Sequence, residues 1–452
     1  MYLRRLSLTD FRCYRRLDVT LPCGTIVLVG RNAQGKTSIL EACYVLATTR
    51  SPLTTTDREL IHWAAAEEVM PFSRVWGEVA LAGGHQTVEV LNVRQAVEQG
   101  EERFAKRLRV NNVPRRALDV LGLLNVVLFS PHDLELVDGA PSERRLYLDV
   151  LLCQIDRVYC TALSRYNRVL VQRNHLLRRL RERGGNRSEL EFWNDQLISE
   201  GAVLLERRLA TVLHLGELAA EIHAELVGPA ASPLPGAELA NGHASPSRLA
   251  LAYRSTAHGA TPSVSRPRGA VGGAGWLAEA GAPYPASNPP LPGLSGPAAA
   301  PGPPGRAELA AQFASVLAER TAEEIARGMT VVGPHRDDLA FSVDGVNMRT
   351  YGSRGQQRTV VLALKLAEAR LMWSTTGERP VLLLDDVLSE LDGDRRRFLL
   401  SHVDPQQQTL ITTTDLANLP EEFLAGALVL EVEGGQIVRA QRAGRAVTVP
   451  VG

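Results

Sequence analysis

Gly30-Arg31-Asn32-Ala33-Gln34-Gly35-Lys36-Thr37 fills every fixed position of the phosphate-loop pattern GxxxxGK[ST]. The apolar run Thr25–Val29 ahead of it reads as a strand, and Ser38 to Leu46 behind it as a helix. That strand–loop–helix setting makes a chance match an inferior reading. Glycines in such a loop let successive backbone N–H groups turn inward around a phosphate. Gly30, Asn32, Gly35 and Ser38 are therefore expected to line a nucleotide, with Lys36 bridging the β- and γ-phosphates of ATP and Thr37 ligating Mg²⁺.

The second half of such a site lies near the other end of the chain. Val381-Leu382-Leu383-Leu384 is a fully apolar strand that ends in Asp385-Asp386. Asp385 is expected on the metal side of the site, and Asp386 is expected to orient or deprotonate the attacking water. Two solvated acids capping a buried strand would be the bland alternative, which the phosphate loop in the same chain disfavours. Transporter-type ATPases carry the longer glutamate where Asp386 stands. One missing methylene is about 1.3–1.5 Å, and a misplacement of about 1 Å can cost about 10²-fold in rate. Slow hydrolysis follows, suited to a switch.

Ser353-Arg354-Gly355-Gln356-Gln357, ahead of a helix expected from Arg358 to Met372, resembles the LSGGQ-like signature of ABC-type ATPases. In that superfamily Ser353, Gly355 and Gln356 would contact a γ-phosphate held by another subunit, so that ATP itself joins a homodimer. Ser389-Glu390-Leu391-Asp392 then reads as the D-loop, and Thr412-Thr413-Thr414-Asp415 ends the next strand. Thr414 stands where transporters place a histidine; it can sense phosphate by hydrogen bonding but cannot titrate near neutrality. The fold expected is α/β: an ABC-type, SMC-like P-loop head with mixed sheets, split between residues 1–143 and 307–452.

Composition narrows the partners. The 452 residues carry 50 basic and 50 acidic side chains, so no global field draws the protein to nucleic acid and any DNA surface is a local patch. Lys36, Lys106 and Lys365 are the only lysines, which makes arginine the base to test for phosphate contact. Arg12, Arg15 and Arg16, with Arg144 and Arg145, are the candidates, set against the plainer reading of solvated surface arginines. Aromatic residues are 5% of the chain, which favours duplex backbone over single-strand stacking grooves. The 5 cysteines form no CxxC spacing and read as reduced thiols rather than a disulfide frame or zinc site. No run reaches the ~18 apolar residues of a membrane helix, and a cytoplasmic protein is expected.

Between the two halves the pattern changes twice. Residues 73–130 hold short β-like runs, Arg74–Leu81, Thr87–Val93, Leu108–Asn111 and Val126–Phe129, separated by turn residues. Residues 144–228 show apolar residues at helical spacing without proline. Gly184-Gly185-Asn186 should divide them into two helices of about 40 residues, each about 60 Å long, a hairpin arm. Residues 229–306 contain 15 of the 26 prolines and are expected to form a low-complexity, largely disordered insertion, with Leu249–Tyr253 a possible strand. A helix from Ala307 to Gly328 returns the chain to the head, and Ala427–Val438 reads as a hairpin around Gly434-Gly435.

Several segments together make the match specific. Phe129-Ser130-Pro131-His132-Asp133-Leu134, Gly139-Ala140-Pro141-Ser142-Glu143-Arg144-Arg145-Leu146-Tyr147-Leu148-Asp149 and Gly333-Pro334-His335-Arg336-Asp337-Asp338-Leu339 stand in one order with Leu8–Arg12, Gly352–Arg358 and Leu384–Asp392. In that order the chain resembles the RecF family over nearly its whole length. The resemblance implies an ATP-dependent dimer that recognises duplex DNA at gap edges or single/double-strand junctions. It further implies work with RecO and RecR to load RecA, support of SOS induction, and weak DNA-stimulated ATPase activity. His132 stands where an acid is usual and Arg354 where glutamine is usual, and the proline-rich insertion departs from the family. The rival readings are a transporter-coupled cassette and a structural SMC-like tether.

Overall fold

The computed structural model describes residues 1–66, 68, 70–96, 102–228, 248–257, 304–404, 406–442 and 445–446. Its central element is a seven-stranded sheet in which distant segments lie side by side. β3 (Thr25–Val29) is flanked by β13 (Thr409–Thr413) and β14 (Leu428–Glu433), both parallel to it. β12 (Val381–Asp385) continues the parallel set beside β13, and β8 (Val126–Phe129) closes that edge. At the other edge β15 (Gln436–Arg442) and β16 (Arg445–Ala446) add antiparallel strands.

The near-continuous apolar runs of β3, β12 and β13 follow from burial on both faces. Alternate side chains enter different cores. Ile26, Leu28, Val381, Leu383 and Leu410 face one, where α1 (Lys36–Thr48) packs through Ile39, Leu40 and Leu46. Val27, Leu382, Leu384 and Ile411 face a helical layer on the other side. Over α1 lies a six-stranded antiparallel sheet in the order β2-β1-β4-β5-β6-β7. It comprises β1 (Tyr2–Phe11), β2 (Tyr14–Thr20), β4 (Phe72–Leu81), β5 (Gly84–Ala96), β6 (Glu102–Val110) and β7 (Val113–Arg115).

The helical segment differs from two equal rods. It consists of α2 (Pro141–Ile155), α3 (Arg157–Arg183) and α4 (Glu189–Val227), so the first rod is interrupted at Asp156. The Asp156 carboxylate accepts from the Val158 and Tyr159 N–H groups and starts α3 as a new helix. α3 and α4 turn back at the glycines, and both pack on α5 (Arg306–Arg327). α4 also lies along α6 (Arg354–Thr376), so the inner half of the hairpin belongs to the main core and only its tip has a separate cluster, Leu176, Leu177, Leu180 and Leu190.

A third sheet joins β11 (Val346–Asn347), β10 (Asp338–Val343) and β9 (Leu249–Arg254). The expected strand at 249–253 is present and pairs antiparallel with β10 from Leu249↔Val343 to Arg254↔Asp338. Residues 248–257 are thus part of the fold, and the expected insertion spanned too much. Its other segments, 229–247 and 258–303, lie outside the described residues.

Candidate functional site

The loop that follows β3 is held from three directions. Gly30 N–H donates to the Thr413 carbonyl (3.3 Å) at the end of β13. Gly434 N–H donates to Gln34 Oε1 (2.7 Å), and Gly435 N–H to the Gln34 carbonyl (3.1 Å), so the β14–β15 turn clamps the loop. From below, Tyr14 Oη donates to the Gly35 carbonyl (3.1 Å). A Cβ on Gly30 would meet the Val432 carbonyl oxygen at 2.3 Å, and Gly35 has φ +108. At both positions only glycine fits.

Lys36 opens α1, is buried, and folds back on its own loop, with Nζ donating to the Gly30 (2.6 Å) and Arg31 (2.8 Å) carbonyls. Burial lowers its pKa, opposed by the fields of Asp386 and Asp385. The ammonium therefore sits inside its own loop. Thr37 Oγ1 donates to Asp385 Oδ1 (2.8 Å), and Thr412 Oγ1 donates to the same oxygen (2.8 Å). Burial raises the Asp385 pKa, against those two hydroxyl donors. A half-buried carboxylate with a hydroxyl beside it offers hard oxygen donors, which suit a small divalent cation. Among the described residues no group of three or more His, Cys, Asp or Glu could hold a metal alone. Thr37 and Asp385 therefore fit Mg²⁺ shared with phosphate oxygens and water, the way this ion is usually bound.

Asp386 follows in a left-handed conformation, φ 50, with its N–H donating to Thr412 Oγ1 (2.9 Å). Thr412 thus supports both acids, a role the sequence pattern does not separate from that of its neighbour. Thr414 lies just beyond β13 and is exposed.

The signature residues lie at the start of the helix expected to follow them. α6 begins at Arg354, not Arg358, because Ser353 and Gln356 cap each other: Gln356 N–H donates to Ser353 Oγ (3.3 Å) and Ser353 N–H to Gln356 Oε1 (2.8 Å). This reciprocal cap draws the motif into the first helical turn and presents a helix N-terminus, a natural anion-binding end. Arg354 is an exposed ion pair with Asp138. His132 is likewise exposed, 3.6 Å from Glu135.

The candidate DNA contacts separate by burial. Arg144 is 2% exposed and forks onto Asp338 through Nε (2.7 Å) and Nη2 (3.1 Å), so its expected place on a DNA surface gives way to a structural one. Arg12 is similarly committed, to Glu41 (2.8 and 2.6 Å) and the Glu59 carbonyl (2.9 Å). Arg145 donates to the Asp337 carbonyl (2.9 Å) and is half-buried. Arg15 and Arg16 are exposed, Arg15 sharing Asp10 and Glu68. The segments 139–149 and 333–339 thus grip each other at the hairpin root. Asp149 binds Arg208 (2.7 Å) there, and Asp337 accepts from Tyr253 Oη (2.7 Å).

This chain is similar to a well-populated set of proteins. The model of the RecF/RecN/SMC N-terminal domain matches residues 2–422. The DNA replication and repair protein RecF of Chloroflexus aurantiacus is 42% identical over 97% of this chain and 99% of its own length. The protein of the same name from Halalkalibacterium halodurans is 35% identical over 97% of this chain and 99% of its own. A solved structure of the recombination mediator RecF with ATP, of the RecFOR pathway, matches with TM-score 0.72 at 25% identity, over 99% of this chain and 98% of that one.

Proposed function

Because the chain belongs to the RecF family of DNA replication and repair proteins, carried on an ABC-type, SMC-like ATPase head, we propose that it is an ATP-switched dimeric clamp for DNA. The carrying observation is that, among the described residues, no hydrogen bond joins the phosphate loop to the Ser353–Gln357 segment. The phosphate loop is hydrogen-bonded to β13 and to the β14–β15 turn, whereas Ser353 and Gln356 bond to each other. A second copy would supply the missing half to each loop. ATP then lies between two heads and joins them through its γ-phosphate.

Lys36 and the loop N–H groups hold the triphosphate, and Thr37 with Asp385 would hold Mg²⁺, which neutralises phosphate charge when bound. Asp386 orients water for a slow hydrolysis that releases the dimer; Thr414 senses the phosphate. The clamp grips duplex DNA at gap edges through Arg15 and Arg16, with Arg145 third, and acts with RecO and RecR in loading RecA during gap repair and SOS induction. Residues 1–143 and 307–452 act as the head and 144–228 as its helical arm. Membership of this family sets aside the transporter-cassette reading.

Sedimentation with ATP, with ADP and without nucleotide tests the clamp. An ATP-only dimer that the Ser353→Arg variant cannot form is the expected result. A monomer under all three conditions would overturn it.

A further inference from the structure

Arg395 lies in the first turn of α7 (Gly393–Ser401), directly after the Ser389–Asp392 segment. Its hydrogen bonds tie that segment to the signature turn. Nη1 bonds the Asp392 carboxylate and Nε donates to Thr359 Oγ1 (3.0 Å); Thr359 Oγ1 in turn donates to the Gly355 carbonyl (2.9 Å). A parallel brace runs from Arg358 to Glu390, through the Glu390 carbonyl (3.1 Å) and carboxylate (3.3 Å). These bonds engage Nε and Nη1 of Arg395. Nη2 points elsewhere.

Where it points is measured by Gly355. A Cβ built on that glycine would have two atoms within 4 Å outside its own helix backbone and chain neighbours: Arg395 Nη2 and Ser353 Oγ, both at 4.0 Å. The gap over the signature turn is therefore open, and a guanidinium and a hydroxyl border it. Arg354, the base within the motif itself, is 69% exposed and turned to Asp138. The Arg395 side chain is 30% exposed, reachable by a ligand yet held in place by two bonds. A guanidinium positioned by two of its nitrogens, with the third free, suits a phosphate oxygen.

We infer that Arg395 is the cationic member of the signature half-site: in the ATP-joined dimer its Nη2, with Ser353 Oγ, contacts the γ-phosphate held by Lys36 of a second copy. This rests on the composite-site reading above and adds a residue to it. ADP lacks the group that Arg395 contacts, so the contact discriminates between the nucleotides. Because Nη1 keeps Asp392, binding is felt directly by the Ser389–Asp392 segment.

The test uses the full-length chain with Arg395→Ala, Arg395→Lys and, as a surface control on the same helix, Arg397→Ala. Binding of a fluorescent ATP analogue to dilute monomer should be nearly unchanged in all three. ATP-dependent dimerisation, followed by sedimentation, should weaken by about tenfold or more in Arg395→Ala. It should recover in part in Arg395→Lys, which keeps charge without the fork, and match wild type in Arg397→Ala. Mixing Arg395→Ala with Lys36→Ala decides the geometry. One intact composite site should re-form, and mixed dimers appear, where neither variant dimerises alone. No rescue would place Arg395 within its own chain's site and overturn the inference, as would an Arg395→Ala protein that dimerises like wild type. If Arg395→Ala melts early, the folded Arg395→Lys takes its place in the same mixing experiment, with the same two outcomes. A wild-type monomer in ATP would instead fail the composite site itself.

Discussion

Two hydroxyls on one oxygen of Asp385 describe a carboxylate kept ready at a cost, since burial disfavours its charge. Replacing it with asparagine removes that cost together with the carboxylate proposed to hold Mg²⁺. Asp385→Asn should leave the nucleotide-free protein at least as stable as wild type while abolishing the rise in Tm caused by ATP with Mg²⁺; thermal melts with and without both check this. Saturation at 100 times Kd stabilises by about 2.7 kcal/mol, so the missing shift is easily seen. His335, bonded to Tyr166 Oη (2.7 Å), behaves in the opposite sense to a surface histidine. Burial lowers its pKa from 6.5 to about 4. The folded form then binds fewer protons than the unfolded one, so its contribution is present above pH 6.5 and is lost as pH falls towards about 4. A His335→Gln protein should show a flatter urea-midpoint profile across that window. Such side chains also mark the limit of what the chain reveals unfolded. Lys36, Thr37 and the Asp385-Asp386 pair sit in short local motifs and are legible there. Arg12 and Arg144 look like surface bases in the sequence because their acids, Glu41 and Asp338, are 29 and 194 residues away.

At the level of elements, capping and bracing explain the departures from periodicity. Ser353 and Gln356 lengthen α6 at its start, and Asp156 divides α2 from α3; both effects depend on side-chain bonds to backbone N–H groups, which a hydrophobic repeat does not encode. α3 and α5 are joined by Arg173 and Glu324, 2.6 Å apart and 0% exposed, with Asn194 and Thr330 taking the other guanidinium donors. Glu324→Ala leaves a buried, uncompensated cation and should cost about 3–5 kcal/mol in urea unfolding. β9 is an equally firm part of the architecture. Tyr253 Oη, Thr256 N–H and Thr256 Oγ1 all donate to Asp337, at 2.7, 2.6 and 2.8 Å. Excising 248–257 should therefore yield insoluble or protease-sensitive protein. The short run Leu249–Tyr253 stays legible as a strand despite its proline-rich flanks, although composition over a long window averages the strand's six pairing residues away.

For the whole molecule the distinction between bases that hold the fold and bases that face outward becomes a salt measurement. Each phosphate contact on duplex DNA contributes about 0.9 to the slope of log affinity against log salt. Arg16→Ala should lower that slope by about one contact without changing Tm. Arg144→Ala should lower Tm, and its slope should follow wild type where the protein remains folded. Equal slopes for wild type and Arg16→Ala would remove Arg16 from the DNA surface. The general architecture is legible because the motifs of a split ATPase head are short and ordered. The gripping of segments 139–149 and 333–339 is not, since Arg144 and Arg145 find their partners in Asp338 and Asp337, 194 and 192 residues away.

The position of β3 between β13 and β14 has a consequence for the ribosome. Gln34 leaves the exit tunnel long before Gly434, the glycine that clamps it, 400 residues later. At about 5–20 residues per second the nascent chain waits roughly 20–80 s with an apolar strand whose two neighbours have not been made. Any ribosome that stops early releases a chain carrying the complete phosphate-loop motif and no sheet in which to seat it. Full translation is thus the first checkpoint on nucleotide binding, and stalled fragments should be recovered with chaperones or proteases rather than with ATP.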